Sequence, residues 1–285
     1  MKLLKILSGS LILYFLFFAT STQVSSCVKE KTIYDTVTIR DTTIIRDTVD
    51  CDCYDLKDGL VAWYNFNGGT LNDSSGYNNH IVFNNAVKTT DRFGRANGAY
   101  LFNGTNSYMR VANSASINPT SAITLAAIVK VNGFYSGLCK GNMLISKTID
   151  KDYGDGFYSL RFVNHPTDCN APLDEQHHYF SGTYGNFYSG GENDAPADTA
   201  YVKKSTWYHV VYTYENGVGK LYINGELKRV HNDPAVFTPN TAELYLGRMV
   251  STQYPYFFNG VMDDVRIYNR ALCLGEVKQL NRVKD

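Results

Sequence analysis

Between Leu60 and Tyr268 the chain alternates short apolar runs with turn residues, and no long segment carries helical spacing. "GLVAWYNF", "AITLAAIVKV", "NMLISKTI", "GFYSLRFV", "TWYHVVYTY", "ELYLGRM" and "GVMDDVRIYN" each read as a strand rich in β-branched and aromatic residues. "GGTLNDSSGYNNH" is a loop of turn residues. "GAYLFNGTNSYMRV" reads as two strands around Asn103-Gly104. "TWYHVVYTY" pairs with "GKLYING" across "ENGVG", and the chain folds back again at Asn224-Gly225, a dipeptide that accepts the positive φ of a tight hairpin. Strands joined by short turns, without strand–helix–strand alternation, predict an all-β fold: two antiparallel sheets packed as a sandwich. One short helix is expected, in the tail "LGEVKQLNRV", where Val277 and Leu280 make an apolar stripe that docks on the sandwich.

Charge removes one class of partner. Lys+Arg and Asp+Glu both number 27, so no basic field exists to hold nucleic acid. The 22 tyrosines and 15 phenylalanines, against two tryptophans, suit half-buried strands and wet binding surfaces alike.

The first 26 residues read as a targeting segment. Lys2 and Lys5 precede an apolar stretch from Ile6 to Ala19, too short for a comfortable membrane span. It ends in "VSSC", which resembles a bacterial lipobox and implies cleavage before Cys27 and acylation of its thiol. An exported protein held at the membrane or cell surface through the lipid follows. Residues 27–57 then carry a period-six repeat, "IYDTVT", "IRDTTI", "IRDTVD", with Asp35, Asp41 and Asp47 in register. That period, neither 3.5 nor 3.6, argues against a coiled coil. The segment is expected to be an extended stalk of roughly 60 Å at full length, serving as a spacer or as a strand-forming assembly element. The domain proper spans 58–285.

"WYNFNGGTLNDSSGYNNH", "FGRANGAYLFNGTNSYMRV", "ITLAAIVKV", "WYHVVYTYENGVGKLYINGELK" and "FFNGVMDDVRIYNRALCLGEVKQL" follow one another as in laminin-G-like domains of the concanavalin A-like lectin/glucanase superfamily, a resemblance covering about residues 58–283. It implies a jelly-roll sandwich with one concave face, often glycan-binding, often with one structural calcium. The chain departs from the pattern at Ile128, where the family usually has Trp, and in the long polar segment 168–200, which looks like an insertion.

Within "GVMDDVRIYN", strict alternation puts Asp263 with Val261, Val265 and Ile267, and Asp264 with Arg266 on the opposite, mixed face. An acid among valines must be paired, hydrogen-bonded or metal-bound. The resemblance makes Asp263 a calcium ligand, with Asn65, Asn67 and Asp73 supplying further oxygens. The competing readings are backbone N–H groups or an arginine such as Arg248 for Asp263, and an Asx turn for Asp73. "DKDYGDGF", residues 150–157, imitates an EF-hand start but lacks the terminal Glu and reads as a hairpin loop.

Cys139 and Cys169 lie just outside the open end of the expected "NMLISKTI"/"GFYSLRFV" hairpin, which predicts a disulfide in an oxidising compartment. The first and last strands are neighbours in the resembled fold, so Cys53 is expected to reach Cys273. No Cys-x-x-Cys pair is present for zinc.

Glucanases on this fold carry a strand of alternating acids, Glu-x-Asp-x-x-Glu or Glu-x-Asp-x-Glu, which this chain lacks; it also lacks a Gly-x-Ser-x-Gly elbow. His177 and His178 read as a solvated loop pair. The expected function is therefore glycan binding without catalysis, by loop aromatics: Tyr135, Tyr153, Tyr184, Tyr188, Tyr254 and Tyr256. A surface module binding a protein partner, and a hydrolase with unfamiliar residues, are the alternatives.

Overall fold

The computed structural model describes residues 35–39, 42–46, 55–148, 158–164, 172–185, 201–232 and 240–283. Cys27 and the rest of the targeting segment, Cys51, Cys53, Cys169, Tyr153, Tyr188 and the 150–157 loop lie outside them. In the repeat, β1 (Asp35–Ile39) and β2 (Thr42–Arg46) pair with each other antiparallel, so these two pieces fold back as a hairpin and do not extend as one strand.

Fourteen strands follow in the described part: β3 (Leu60–Tyr64), β4 (Ile81–Asn84), β5 (Val87–Thr89), β6 (Ala99–Asn103), β7 (Met109–Val111), β8 (Ala122–Gly133), β9 (Asn142–Lys147), β10 (Tyr158–Asn164), β11 (His178–Tyr184), β12 (Trp207–Glu215), β13 (Val218–Ile223), β14 (Glu226–Asn232), β15 (Leu244–Leu246) and β16 (Asn259–Tyr268). They build two antiparallel sheets. One runs β11-β10-β9-β15-β7-β4; the other runs β14-β13-β12-β8-β16-β6-β5, with β3 also on β16. The β9–β10, β12–β13 and β13–β14 pairings are the hairpins expected from the sequence. At the last of these, Asn224 and Gly225 take φ of 54° and 81°, the left-handed values the dipeptide was read for. The Asn103-Gly104 turn has a different job. It carries the chain from β6 in one sheet to β7 in the other, and the Asn103 side-chain oxygen accepts the N–H groups of Thr105, Asn106 and Ser107.

The core between the sheets is strongly aromatic. Phe258 packs near both Phe102 and Phe162, at 5.7 and 6.2 Å between ring centres. Buried tyrosines reach the edge of this core and donate to loop carbonyls: Tyr64 to Asn79, Tyr158 to Ile117, Tyr184 to Pro119. Each hydroxyl so satisfied lets a large ring be buried without the cost of an unpaired polar group. The outer face of the larger sheet is covered by α1 (Leu274–Arg282). Val277 and Leu280 pack on Leu60, Ala126, Val211, Tyr222 and Tyr268, the docking expected from the stripe. Arg92 reaches the end of this helix and donates to the Asn281 and Val283 carbonyls. At its start Glu276 accepts the Cys273 N–H and holds Arg270 in a two-pronged pair.

The segment read as a polar insertion contributes β11, a full strand of the smaller sheet. One of the two expected loop histidines changes meaning with it, and His177 stays partly exposed in the loop before β11. His178 is buried and stacked on Phe134 at 3.9 Å, while His177 pairs with Asp174. Cys139 and Cys273 are each half of a disulfide.

Candidate functional site

Two constellations carry chemistry. The first is built around Asp263 and Asp264. In β16, Asp263 faces Ile128 of β8 and Arg266 faces Ala126, so three steps along one strand answer two along the other. The extra residue is a bulge, and Asp264 sits there at φ 42°, a left-handed conformation that Asp tolerates better than most residues. The bulge resets the alternation. Met262, Val265 and Ile267 point into the core, whereas Asp263 and Asp264 line one small cleft with Asn65, Arg92, Phe93 and Arg95. The expected opposite facing of the two aspartates is thus wrong, because strand period holds only where no residue is inserted.

Asp264 keeps the expected neighbour Arg266, but the pair is buried and not on the surface. Asp264 is buried, and its Oδ1 accepts the indole N–H of Trp63 at 2.7 Å and Nε of Arg266 at 2.8 Å. The Arg266 guanidinium lies 4.3 Å from the Trp63 ring centre, so acid, cation and indole form one packed unit. Asp263 accepts the Asp264 backbone N–H at 2.7 Å, the backbone alternative among its sequence readings. Burial, and then the Asp264 charge, push the Asp263 carboxyl up to about 7.

The four residues expected to share calcium do not fit a common site. Asp73 Oδ1 accepts the Trp63 and Ser75 N–H groups, and Oδ2 accepts the Ser75 hydroxyl and the Asn79 N–H. Both oxygens are spent on fixing the 73–79 loop, the Asx-turn reading. Asn65 Oδ1 is likewise occupied by the Asn67 N–H. Only Asn65 joins Asp263 in the cleft, and two arginines line it as well, which opposes a divalent cation. Among the described residues no group of three or more His, Cys, Asp or Glu is placed to hold a metal.

A pH dependence follows. An acid raised above its ordinary value stabilises the fold fully below about pH 4, and that contribution is lost as pH rises through about 7. Relative to Asp263→Asn, which keeps an oxygen for the Asp264 N–H, the wild type should lose up to about 4 kcal/mol between pH 4 and pH 8. Urea unfolding at both pH values reads the difference; a pH-independent gap between the two proteins contradicts the assignment.

The second constellation is a run of aromatic rings on the outer face of the smaller sheet. In β15 Leu244 and Leu246 enter the core and Tyr245 faces out; in β7 Met109 and Val111 enter the core and Arg110 faces out. Phe83 of β4 lies opposite Arg110. Phe83 stacks on Tyr108 at 4.7 Å, and Tyr108 lies 6.0 Å from Tyr245. The loop after β15 extends the run. Arg248 lies over the rings of Tyr108, Tyr245 and Phe257, at 4.9, 5.7 and 5.2 Å. Phe257 meets Tyr135 at 6.3 Å, Tyr135 meets Tyr256 at 6.2 Å, and Tyr256 meets Tyr254 at 6.0 Å. All but Tyr256 are partly exposed.

Of the six tyrosines expected to bind glycan, Tyr135 and Tyr254 stand in this run. Tyr256 is buried beneath it with Met143 and Met249. Tyr184 is a correction: it belongs to the core, 4.6 Å from Tyr214, because it closes β11. Tyr153 and Tyr188 lie outside the described residues. Phe83, Tyr108, Tyr245 and Arg248 were missed, although the alternation of "ELYLG" and "SYMRV" already sets Tyr245, Tyr108 and Arg110 opposite core residues.

Several solved structures share the fold. Domain 4 of AbnA, a GH43 extracellular arabinanase from Geobacillus stearothermophilus solved with arabinotriose, is 21% identical with a TM-score of 0.53, over 78% of this chain and 98% of that one. The binding domain of Paraclostridial Mosquitocidal Protein 1 is 19% identical with a TM-score of 0.52, over 80% of this chain. That of botulinum neurotoxin DC, solved with rat synaptotagmin II, is 16% identical with a TM-score of 0.53, again over 80% of this chain. The match spans about half, 52%, of each of those two toxin chains. At such identities the likeness is one of fold. No curated protein matches the sequence. The family model for the concanavalin A-like lectin/glucanases superfamily matches residues 103–278, more than half of the chain. With the two antiparallel sheets and the docked helix already in place, the protein belongs to the concanavalin A-like lectin/glucanases superfamily.

Proposed function

We propose that this chain is an exported, lipid-anchored glycan-binding module that catalyses no reaction. The observation that carries the reading is the partly exposed run of rings from Phe83 to Tyr135, with Tyr254 joined to it over the buried Tyr256. Ring faces stack on the C–H faces of sugars, and tyrosine hydroxyls stay wet beside them. The arabinotriose bound by the AbnA domain is in keeping with this. The non-catalytic part rests on the two adjacent acids of β16: Asp264 is tied to Trp63 and Arg266, and Asp263 is buried beside it, so neither is free to flank a glycosidic bond.

A glycan array with the detergent-solubilised full chain tests the reading. Clear binding to at least one oligosaccharide or polysaccharide is expected, with no release of reducing ends. A silent array overturns glycan binding, and released reducing ends overturn the absence of catalysis. A protein partner is the second reading, favoured by the synaptotagmin complex of the neurotoxin domain; capture of a surface protein together with a silent array would establish it.

The anchor has its own test. Cys27→Ala should move the protein from the membrane to the soluble fraction, since the acylated thiol is the proposed stable attachment. Continued sedimentation with membranes contradicts the lipobox reading.

A further inference from the structure

We propose that the aromatic run takes an acidic glycan, one bearing carboxylate or sulfate groups, and that Arg248 is the residue that reads the charge. This rests on the glycan-binding reading and narrows it to a substrate class. Arg248 is fixed in place: Nε donates to the Met249 carbonyl at 2.7 Å, and Nη2 donates to those of Val250 and Ser251 at 3.2 and 3.1 Å. Its own carbonyl is held in turn by the Ser146 hydroxyl at 2.7 Å. The guanidinium therefore sits immobilised between Tyr108, Tyr245 and Phe257 while its charge is met, among the described residues, by neutral carbonyls and ring faces. Glu243 is the neighbouring carboxylate, and it is engaged elsewhere, accepting from Arg110 at 3.2 Å and from the Tyr245 hydroxyl at 3.3 Å. Nη1 of Arg248 makes no hydrogen bond within the described part of the chain.

A partly exposed guanidinium with two of its nitrogens already anchored loses little freedom when the third meets a ligand. Its placement among rings lowers the local dielectric, which strengthens a charge-assisted hydrogen bond. Rings for the sugar faces and a fixed cation between them are complementary to an oligosaccharide whose units carry an anionic group. A neutral sugar would gain the stacking and leave the cation unanswered.

The test uses the full chain in detergent and a panel of oligosaccharides in matched pairs: oligogalacturonate and its methyl ester, alginate oligomers and their methyl esters, chondroitin sulfate oligomers and their desulfated, carboxyl-methylated forms. Calorimetry should find at least one acidic member bound ten times or more tightly than its neutral partner, about the effect of one charge-assisted hydrogen bond. That preference should shrink as salt is raised. In Arg248→Gln the acidic-to-neutral ratio should fall close to one, and Arg248→Lys, which keeps the charge and loses the fork, should fall between the two. The wild-type ratio alone decides the proposal even if a variant fails to fold. Neutral and acidic partners bound equally well would overturn the charge reading and leave glycan binding standing. Failure of every member of the panel, with a silent array, would remove both.

Discussion

Asp264→Ala should destabilise the domain by about 3–5 kcal/mol, the usual cost of removing one member of a buried, hydrogen-bonded charge pair. Three losses coincide at this position. Arg266 is left buried with its main anionic partner gone, at an exposure of 4%. The Trp63 indole N–H loses the acceptor it reaches at 2.7 Å. Alanine must also adopt φ 42°, where aspartate is better tolerated. Given the size of the domain, this corresponds to a fall in Tm of about 10 °C. A double-mutant cycle with Arg266→Ala should return a coupling of at least about 1.5 kcal/mol, since the pair shares one short contact. A loss below about 1 kcal/mol would mean that the bulge is held by something other than this unit. The neighbouring Asp263 should behave in the opposite sense at neutral pH, where removing its charge relieves a cost of burial. Two acids adjacent in sequence thus have opposite energetic signs, one completing an ion pair and one burdened by it.

The second large effect concerns binding. Tyr254→Ala combined with Phe257→Ala should weaken glycan binding about a hundredfold, at roughly 1.4 kcal/mol or more for each stacking ring removed. Both side chains are partly exposed and stand on the loop between β15 and β16; Tyr254 also packs on the Met143, Met249 and Tyr256 cluster, so thermal unfolding of the double variant is measured beside its affinity. Tyr184→Phe serves as the contrast. It removes the hydroxyl that donates to Pro119 and should lower stability modestly, by about 1 kcal/mol, while leaving affinity unchanged. Calorimetric titration beside thermal unfolding separates these outcomes. Equal affinity for the double variant and the wild type would place the sugar elsewhere.

Much of the architecture was legible because local signals and tertiary needs agree. Asn224-Gly225 accepts the dihedral angles a tight hairpin demands, and Val277 and Leu280 need a cover that only a sheet face provides. The facing of Asp263 and Asp264 was not legible. A bulge adds one residue without any signature in composition: Val265 and Ile267 face the core as alternation expects, but on the other side of the bulge Met262 takes the core place and Asp263 does not. β11 was hidden for a related reason: "HYFSGTY" is as polar as a loop, and its burial comes from neighbours distant in sequence. The same limit governed the site. Tyr135 and Tyr254 were found by composition at loop positions, whereas Tyr108, Tyr245 and Arg248 become one surface only because β7 and β15 pair. Tyr184 looked no different from them in sequence, and one place in a strand sent it to the core.

The rings on the outer face of the smaller sheet, with Arg248 fixed among them, are proposed to form a sugar-binding surface. A crystal structure of the chain with the best-bound oligosaccharide of the array tests it most directly. Sugar rings are expected stacked on Tyr245, Phe257 or Tyr254, at the van der Waals separation of roughly 4 Å, with an anionic substituent within hydrogen-bond reach of Arg248 Nη1. Sugar bound at the Asp263 cleft, or along the β14 edge of the larger sheet, with the aromatic run bare, would contradict it.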